Sequence, residues 1–407
     1  MDFTIPNEWV EFGDALIKFI DREVAALEHE HRVLLGSERT IYTEEGRYAP
    51  AVLELRRTVR KRSAELGFYT AFGAEALGGG GLGAQAAVYV QERLNTHCGP
   101  GRTLVQAPSP FTNGLSPVLK HLDPDVLAEH RDGLASGDKT MCFALSEPDA
   151  GSDVFGMRTR AVRDGDDWVI SGSKQWITNS PYADYAMIFA ITDEEKVAAR
   201  KGGISGFFVR TDTPGFSVPS VIPIMGHLGA DTGIVHLDQL RVPDRQRLGP
   251  LHNGLSVAMD GVNAGRLSMA GSCVGIARWA LNQALAYVKI RKTFGRLIAE
   301  HQAVQIMLAE CAMDIYAVKS MLRHCAWLVD EGRDATKEVS MAKACATEMV
   351  SRVVDKAIQV HGAIGLTNEL RLEEAYRWAR VLRIPDGTAE IQRRTIARRL
   401  LSGDTEI

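Results

Sequence analysis

Paired cysteines are missing from this chain. Its six cysteines (Cys98, Cys142, Cys273, Cys311, Cys325 and Cys345) are scattered, with no CxxC pair and no His/Cys cluster at ligand spacing. That excludes a disulfide framework, gives no reason to expect a metal, and fits buried free thiols in a reducing compartment. A basic excess is missing too: the net charge of -4 argues against general nucleic-acid or membrane-surface binding. Arginines gather only near the end (Arg393, Arg394, Arg398, Arg399), where they read as a solvated or inter-subunit helix face. No stretch approaches the ~20 apolar residues of a membrane span. The opening residues Met1 to Ile5 hold no basic region leading into an apolar run, so the expectation is a cytoplasmic protein. Nucleophilic triads and a phosphate-binding Walker loop are also absent.

What is present is ordinary in bulk: 407 residues, 45% hydrophobic and 24% charged, enough for two or three domains with a large core. From residue 8 to about 135 the pattern is mostly helical, with Phe12, Leu16, Phe19, Ile20 and Val24 on one stripe. Residues 36–50 are polar and read as a loop. The run Gly78, Gly79, Gly80, Gly81, Leu82, Gly83 formally matches GxGxxG but follows a helical segment rather than a strand. It therefore reads as a loop between helices, not a dinucleotide fingerprint.

The character changes near Met141. Residues 158–162 and 168–172, joined through Asp164, Gly165 and Asp166, carry a hairpin signature, and 185–191, 206–210, 216–218 and 233–237 read as further strands. After Asn253 long helices return. Leu267, Ala270, Val274, Ala277, Leu281 and Ala284 make a small-residue face suited to close packing, and further helices span about 298–331, 336–359 and 371–382. The expected order is a helical domain over 1–140, a β-domain over 141–250 and a helical bundle over 251–407.

Five stretches could carry chemistry. The turn-rich segment 144–153 (Ala144, Leu145, Ser146, Glu147, Pro148, Asp149, Ala150, Gly151, Ser152, Asp153) is either a surface loop or a cradle of amides and hydroxyls for a polar ligand. Segment 172–179 sets Trp176 beside Thr178, and the indole could equally be core. Residues 291–295 (Arg291, Lys292, Thr293, Phe294, Gly295) end a long helix with a basic, aromatic turn, and 359–365 is a glycine-rich helix end. Finally, Pro385, Asp386 and Gly387 precede a helical pattern through Ile391, Ile396, Leu400 and Leu401, so Asp386 taken alone is a candidate helix cap.

As a set, in this order, these stretches resemble the acyl-CoA dehydrogenase flavoprotein family over nearly the whole chain. The resemblance implies an N-terminal helical domain, a middle β-barrel or sandwich domain and a C-terminal four-helix bundle, a mainly α fold around a central β-domain. It implies FAD, an acyl-CoA thioester substrate, an electron-transferring flavoprotein as acceptor, and a homo-oligomer built as a dimer of dimers. Carried over by position, Phe143, Leu145, Ser146, Trp176 and Thr178 correspond to the wall against the flavin ring. Gly151 and Ser152 fall near cofactor and pantetheine. Arg291, Phe294, Gln302, Gln359, Gly362 and Ala363 correspond to FAD contacts across a dimer interface. Thr388 and Glu390 match further flavin neighbours, and Asn263, Arg266 and Gly387 match the substrate side.

The implied reaction needs a base for the α-proton while the β-hydride moves to the flavin, with the thioester carbonyl polarised by the flavin ribityl group and the base residue's own amide. Asp386 stands where most members carry Glu, and Pro385 replaces the usual aromatic before it. Some relatives place the base on the first bundle helix, but the equivalent here, Gly265, cannot serve. Asp386 is thus the matching carboxylate, expected as the base. Ala363 for glycine, Glu390 for glutamine, and His227, Leu228 and Gly229 where arginine is common are further departures. A shorter base and a wider pocket favour a cyclic or branched acyl group. Two other functions compete: oxidation of a non-CoA carbon acid such as a nitroalkane by O2, and a flavin-binding scaffold without catalysis.

Overall fold

The computed structural model describes residues 4–105, 107–108, 114–225 and 231–406. The segment His227, Leu228 and Gly229 lies outside the described residues. Principal helices are numbered α1–α9 and strands β1–β10. The N-terminal part contains α1 (Asn7–Phe19), α2 (Pro50–Glu65), α3 (Gly83–Cys98) and α4 (Pro124–Ala135). The apolar stripe read from the sequence is a real core: Leu16, Phe19, Ile20 and Val24 are buried with Val59, Val90 and Leu94. The stretch read as a loop at 36–50 is more ordered than its polarity predicts. It holds a short helix, Glu38–Ile41, and a bridge between Tyr42 and Tyr48.

The glycine run enters α3 as a loop, with Gly78, Gly81 and Gly83 at φ of 86, 68 and 80°. The first amides of α3 are taken by the chain itself. Asp330 accepts from the N–H of Ala84 at 2.6 Å and of Gln85 at 3.0 Å. A carboxylate there satisfies the orphan amides and the helix dipole that would otherwise attract a phosphate.

Eight strands form one sheet: β1 (Met141–Ala144), β2 (Arg160–Asp164), β3 (Asp167–Thr178), β4 (Tyr185–Ile191), β5 (Ile204–Arg210), β6 (Phe216–Val221), β7 (Thr232–Pro243) and β8 (Arg247–Leu248). Their order is β6-β7-β3-β2-β4-β5-β8, with β1 parallel to β4. Strand β4 is buried on both faces because its run is apolar throughout. Tyr185, Met187, Phe189 and Ile191 pack with Val118, Val126 and Leu134 and with Val257 and Ala258 of α5. Ala186, Ile188 and Ala190 face a second cluster shared with Trp168, Ile170, Val235, Leu237 and Val242. Strands at opposite ends of the order thus share one core, so the sheet curls around it.

The C-terminal bundle is built from α5 (Gly254–Tyr287), α6 (Gln302–Asp330) and α7 (Thr336–His361), with α8 (Leu372–Val381) and α9 (Ala389–Leu401) packed on them. Gly275 explains how closely α3 lies against α5: a Cβ there would fall 2.6 Å from the Glu92 carbonyl oxygen and 2.6 Å from the Asn95 Cβ. Glu92, buried in this contact, is answered by Arg278 and Lys319.

Candidate active site

Asp386 lies between α8 and α9, in a left-handed conformation (φ 55°) followed by Gly387 at φ 90°. Such a backbone is tolerated by Asp better than by most residues, but persists only when its surroundings hold it. The holding groups are visible. The Asp386 carbonyl accepts from Arg266 Nε at 2.9 Å and from Gln392 Nε2 at 3.0 Å. The Gly387 carbonyl accepts from Lys343 Nζ at 2.9 Å and from the same Gln392 nitrogen at 3.0 Å. Arg266 is fixed in turn by Asn263 Oδ1, at 3.1 Å. Any side chain at Gly387 would meet Gln392 Nε2 at 2.8 Å, so this tight turn needs glycine.

The helix cap is not Asp386. Thr388 occupies the N-cap of α9, its hydroxyl accepting from the Ile391 N–H at 3.3 Å. Asp386 is attached through its carbonyl alone: among the described residues, neither its carboxyl nor its N–H has a hydrogen-bond partner. The residue keeps some exposed surface, yet burial dominates its carboxyl and pushes the pKa above the ordinary aspartate value, against the pull of Arg266 and Lys343. Burial likewise lowers Arg266 and brings Lys343 down to about 8.

A second assembly lies in the β-domain. Phe143, near the end of β1, packs against Phe189 with ring centroids 5.0 Å apart, and Leu145 and Ser146 follow the strand, all three half-buried. Trp176 sits at an irregularity of the β3–β7 ladder between Lys174 and Ile177, with φ 64° and 52% exposure. A bulge of this kind re-aims a side chain, and here it leaves the indole on the surface rather than in the core. Thr178 is exposed beside it. The two segments are stitched together. Gln175 N–H donates to the Ser146 carbonyl at 3.0 Å, and Lys174 Nζ donates to the Leu145 carbonyl at 3.1 Å and to Glu147 Oε1 at 2.8 Å.

The loop beyond Ser146 reaches α9. Exposed Gly151 precedes Ser152, which lines a groove of about 570 Å³ with Asp153, Val154, Phe155 and Arg200 on one side and Ile391, Arg394 and Arg398 on the other. Arg200 is held by Asp153 at 2.7 Å, whereas Arg394 and Arg398 have no ion pair among the described residues. Glu390, in the first turn of α9, is exposed.

The remaining expected residues gather at the far end of the bundle. Arg291 leads into the hairpin β9 (Lys292–Thr293) and β10 (Arg296–Leu297), whose turn places Phe294 and Gly295 at φ 51 and 80°. Both central residues at positive φ is the tight primed turn that matches strand twist, and it leaves Phe294 96% exposed. Gln302 begins α6, Gln359 lies in the last turn of α7, and Gly362 and Ala363 follow directly after it, all exposed. Tyr287 stacks on His361 at 4.5 Å and so joins the two helix ends.

Lys343, Gln392 and the Glu147–Lys174 pair do not stand out in the sequence reading. The usable signal for Lys343 is a lone cation among Val339, Ala342, Ala346 and Val350, all buried on one face of α7.

Comparison with known proteins gives a consistent result. Residues 142–240 match the sequence profile of the acyl-CoA dehydrogenase middle domain, and residues 252–401 that of the acyl-CoA dehydrogenase C-terminal domain. The chain is 38% identical over 341 residues to the probable acyl-CoA dehydrogenase YngJ of Bacillus subtilis, covering 84% of this chain and 89% of that protein. It is 35% identical over 348 residues to the caffeyl-CoA reductase-Etf complex subunit CarC of Acetobacterium woodii, covering 86% of this chain and 90% of that one. Among solved structures, the FAD complex of PigA superposes with a TM-score of 0.84 at 25% identity, covering 98% of this chain and 99% of the other.

Proposed function

Since the chain belongs to the acyl-CoA dehydrogenase family and is an FAD-dependent oxidoreductase acting on CH–CH groups, we propose that it removes the α- and β-hydrogens of an acyl-CoA thioester with Asp386 as base. The residues present fit FAD: Trp176 offers a half-exposed aromatic plane, and Phe294 and Arg291 project from the far hairpin. Phe143, Leu145, Ser146, Trp176, Thr178, Thr388 and Glu390 would hold the ring end, with Arg291, Phe294, Gln302, Gln359, Gly362 and Ala363 at the adenosine end. Bound FAD supplies the two-electron acceptor for the β-hydride. Asp386 takes the α-proton at its carboxylate, and its unengaged N–H is available to the thioester oxygen, where charge develops.

One observation carries this reading: Asp386 is anchored by its carbonyl alone, which leaves carboxyl and amide together without hydrogen-bond partners among the described residues. A raised carboxyl pKa makes a stronger base once ionised. The arginine-walled groove beside Ser152 suits the anionic end of CoA, with Arg394 and Arg398 available as cations. Asn263, Arg266 and Gly387 frame the substrate side.

An electron-transferring flavoprotein is the proposed acceptor, consistent with the Etf-complex naming of CarC. Exposed Ile290, Phe294, Met313 and Tyr316 favour association of copies, as a dimer of dimers. Cytoplasmic residence belongs to the same reading, and among the described residues no helix is long and apolar enough to cross a membrane. The limits of the three domains at about 140 and 250 belong to it as well. A one-methylene-shorter base and a proline at 385 favour a cyclic or branched acyl group over a slim linear chain.

The test is anaerobic bleaching of the flavin across a panel of linear, branched and ring acyl-CoAs. Rapid bleaching by any thioester supports the reading. H2O2 formed from a nitroalkane with no thioester response would move the function to a carbon-acid oxidase, and no bleaching by anything to a scaffold.

A further inference from the structure

Lys343 is the most anomalous side chain in the bundle. It is fully buried on an apolar face of α7, at 0% exposure. Burying an ammonium costs several kcal/mol unless it is paired. Yet among the described residues it has no carboxylate within ion-pair distance, and its one hydrogen bond is to the Gly387 carbonyl at 2.9 Å. The charged and titratable groups that face it are Arg266 and Cys273 from α5, Asp386 from the loop, and Glu390 from α9. Cys273 is a buried thiol pushed up to about 12, hence neutral. Glu390 is exposed, so solvent screens it. Arg266 is a second buried cation, at 6% exposure, bound to the neighbouring carbonyl. Among the described residues, Asp386 is thus the acid on which the buried charge acts with the least solvent screening.

We propose that Lys343 is a positioning residue for Asp386. Its ammonium clamps the Gly387 carbonyl from below, and its charge, with that of Arg266, offsets the desolvation of the Asp386 carboxylate. The inference rests on Asp386 being the base. The two cations divide the work over adjacent carbonyls: Arg266 takes the Asp386 carbonyl, Lys343 takes the Gly387 carbonyl, and Gln392 bridges both. The loop's two positive-φ residues are therefore tied to α5, α7 and α9 at once. A desolvated carboxylate with no cation near it would hold its proton at working pH and fail as a base. With too intimate a cation it would be too weak a base. A lysine hydrogen-bonded to the backbone, and not to the carboxylate, lies between those limits.

Two variants separate clamp from charge. Lys343→Gln keeps an N–H donor for the Gly387 carbonyl but removes the charge, and Lys343→Met removes both. Both are prepared as FAD-loaded protein and compared with wild type over pH. In both, the acid limb of the flavin-bleaching rate should move to higher pH. Lys343→Met should lose up to about 10²-fold in rate at neutral pH, the scale of a 1 Å misplacement, and Lys343→Gln distinctly less. A readout independent of turnover is the carboxyl titration of Asp386, taken as the infrared difference from Asp386→Asn. Its midpoint should rise in both variants. If both midpoints stay at the wild-type value, Lys343 only fills space and the proposal is wrong, even if the variants are slow or unstable. If wild type bleaches with no thioester while the carboxyl titration still moves, the base assignment fails and the coupling stands.

Discussion

Two segments of this protein pair a non-glycine residue at positive φ with a nearby fully buried lysine, and they use that lysine differently. Trp176, at φ 64°, shares strand β3 with Lys174, whereas Asp386, at φ 55°, lies in the loop that Lys343 reaches from α7. Each ammonium donates to a backbone carbonyl of an adjoining segment, Leu145 or Gly387, and burial lowers each lysine to about 8. The difference is the counter-charge. Lys174 meets Glu147 at 2.8 Å. Burial opposes ionisation of Glu147, but Lys174, Thr159 and the Arg158 N–H hold it below the ordinary glutamate value, so the pair stays charged and cancels. Among the described residues Lys343 has no such partner, so its charge remains to act on Asp386. The first lysine is a cross-link and the second a cross-link that also tunes an acid.

The comparison can be broken most directly at Asp386. Asp386→Asn should lower the bleaching rate by ~10² to 10⁴-fold while FAD and thioester binding persist, because the amide keeps size and tolerates the left-handed backbone. The same substitution should stabilise the fold at neutral pH. A folded carboxyl raised above its unfolded value favours the protonated state, so its stabilising contribution is full at acid pH and lost as pH rises through the folded pKa. Thermal melts against pH would show the Asn variant gaining on wild type from acid to neutral pH. A near wild-type rate would return Asp386 to a purely structural role.

Next in size is Lys174→Met, which strands a buried carboxylate and should cost ~3–5 kcal/mol in denaturant unfolding, with much of the loss recovered by adding Glu147→Gln. Lys343→Met strands no partner at ion-pair distance, so it should cost far less. A cost equal to that of Lys174→Met would erase the contrast. The pH profile sharpens it further. A lysine depressed to about 8 in the fold binds its proton more tightly when unfolded, so wild-type stability gains from pH 8 up to ~10.4. Lys343→Met should lack that share of the gain.

Thr388→Ala, which removes the cap seen on α9, should cost ~1 kcal/mol. An unchanged midpoint would mean that water replaces the hydroxyl. The smallest effect is acyl selection. Ring and α-branched thioesters should exceed linear ones in kcat/KM by about 10-fold or less, the low end of what a methylene's worth of pocket shape yields. Asp386→Glu should narrow that gap, and a linear medium chain ranking first would overturn the expectation.

Much of the fold is legible because its signals are local. The run at 185–191 is strand β4 to the residue, as a continuous apolar stretch bounded by turn residues predicts. Trp168, Ile170 and the Gly165 turn give the β2–β3 hairpin for the same reason. The strand there continues to Thr178, beyond the predicted end, because the partner strand β7 supplies a ladder that local pattern cannot reveal. The 36–50 stretch was harder: a four-residue helix and a single bridge leave too short a pattern to read.

The site divides along the same line. The residue types at 383–392 already offer an acid, a glycine and a helix start, and the scattered cysteines give no reason to expect a metal or a disulfide framework. Read locally, Asp386 is the candidate cap, a residue type preferred at that position. The fold decides otherwise: Thr388 is the N-cap, accepting from the Ile391 N–H, while Asp386 and Gly387 stand before the helix at positive φ. That conformation is held by Arg266, Lys343 and Gln392, and the two cations lie 120 and 44 residues from the carbonyls they bind. Short-range preference selects the residues, but only packing of distant helices can hold strained backbone and set the charge around it, because both depend on groups that the chain order keeps apart.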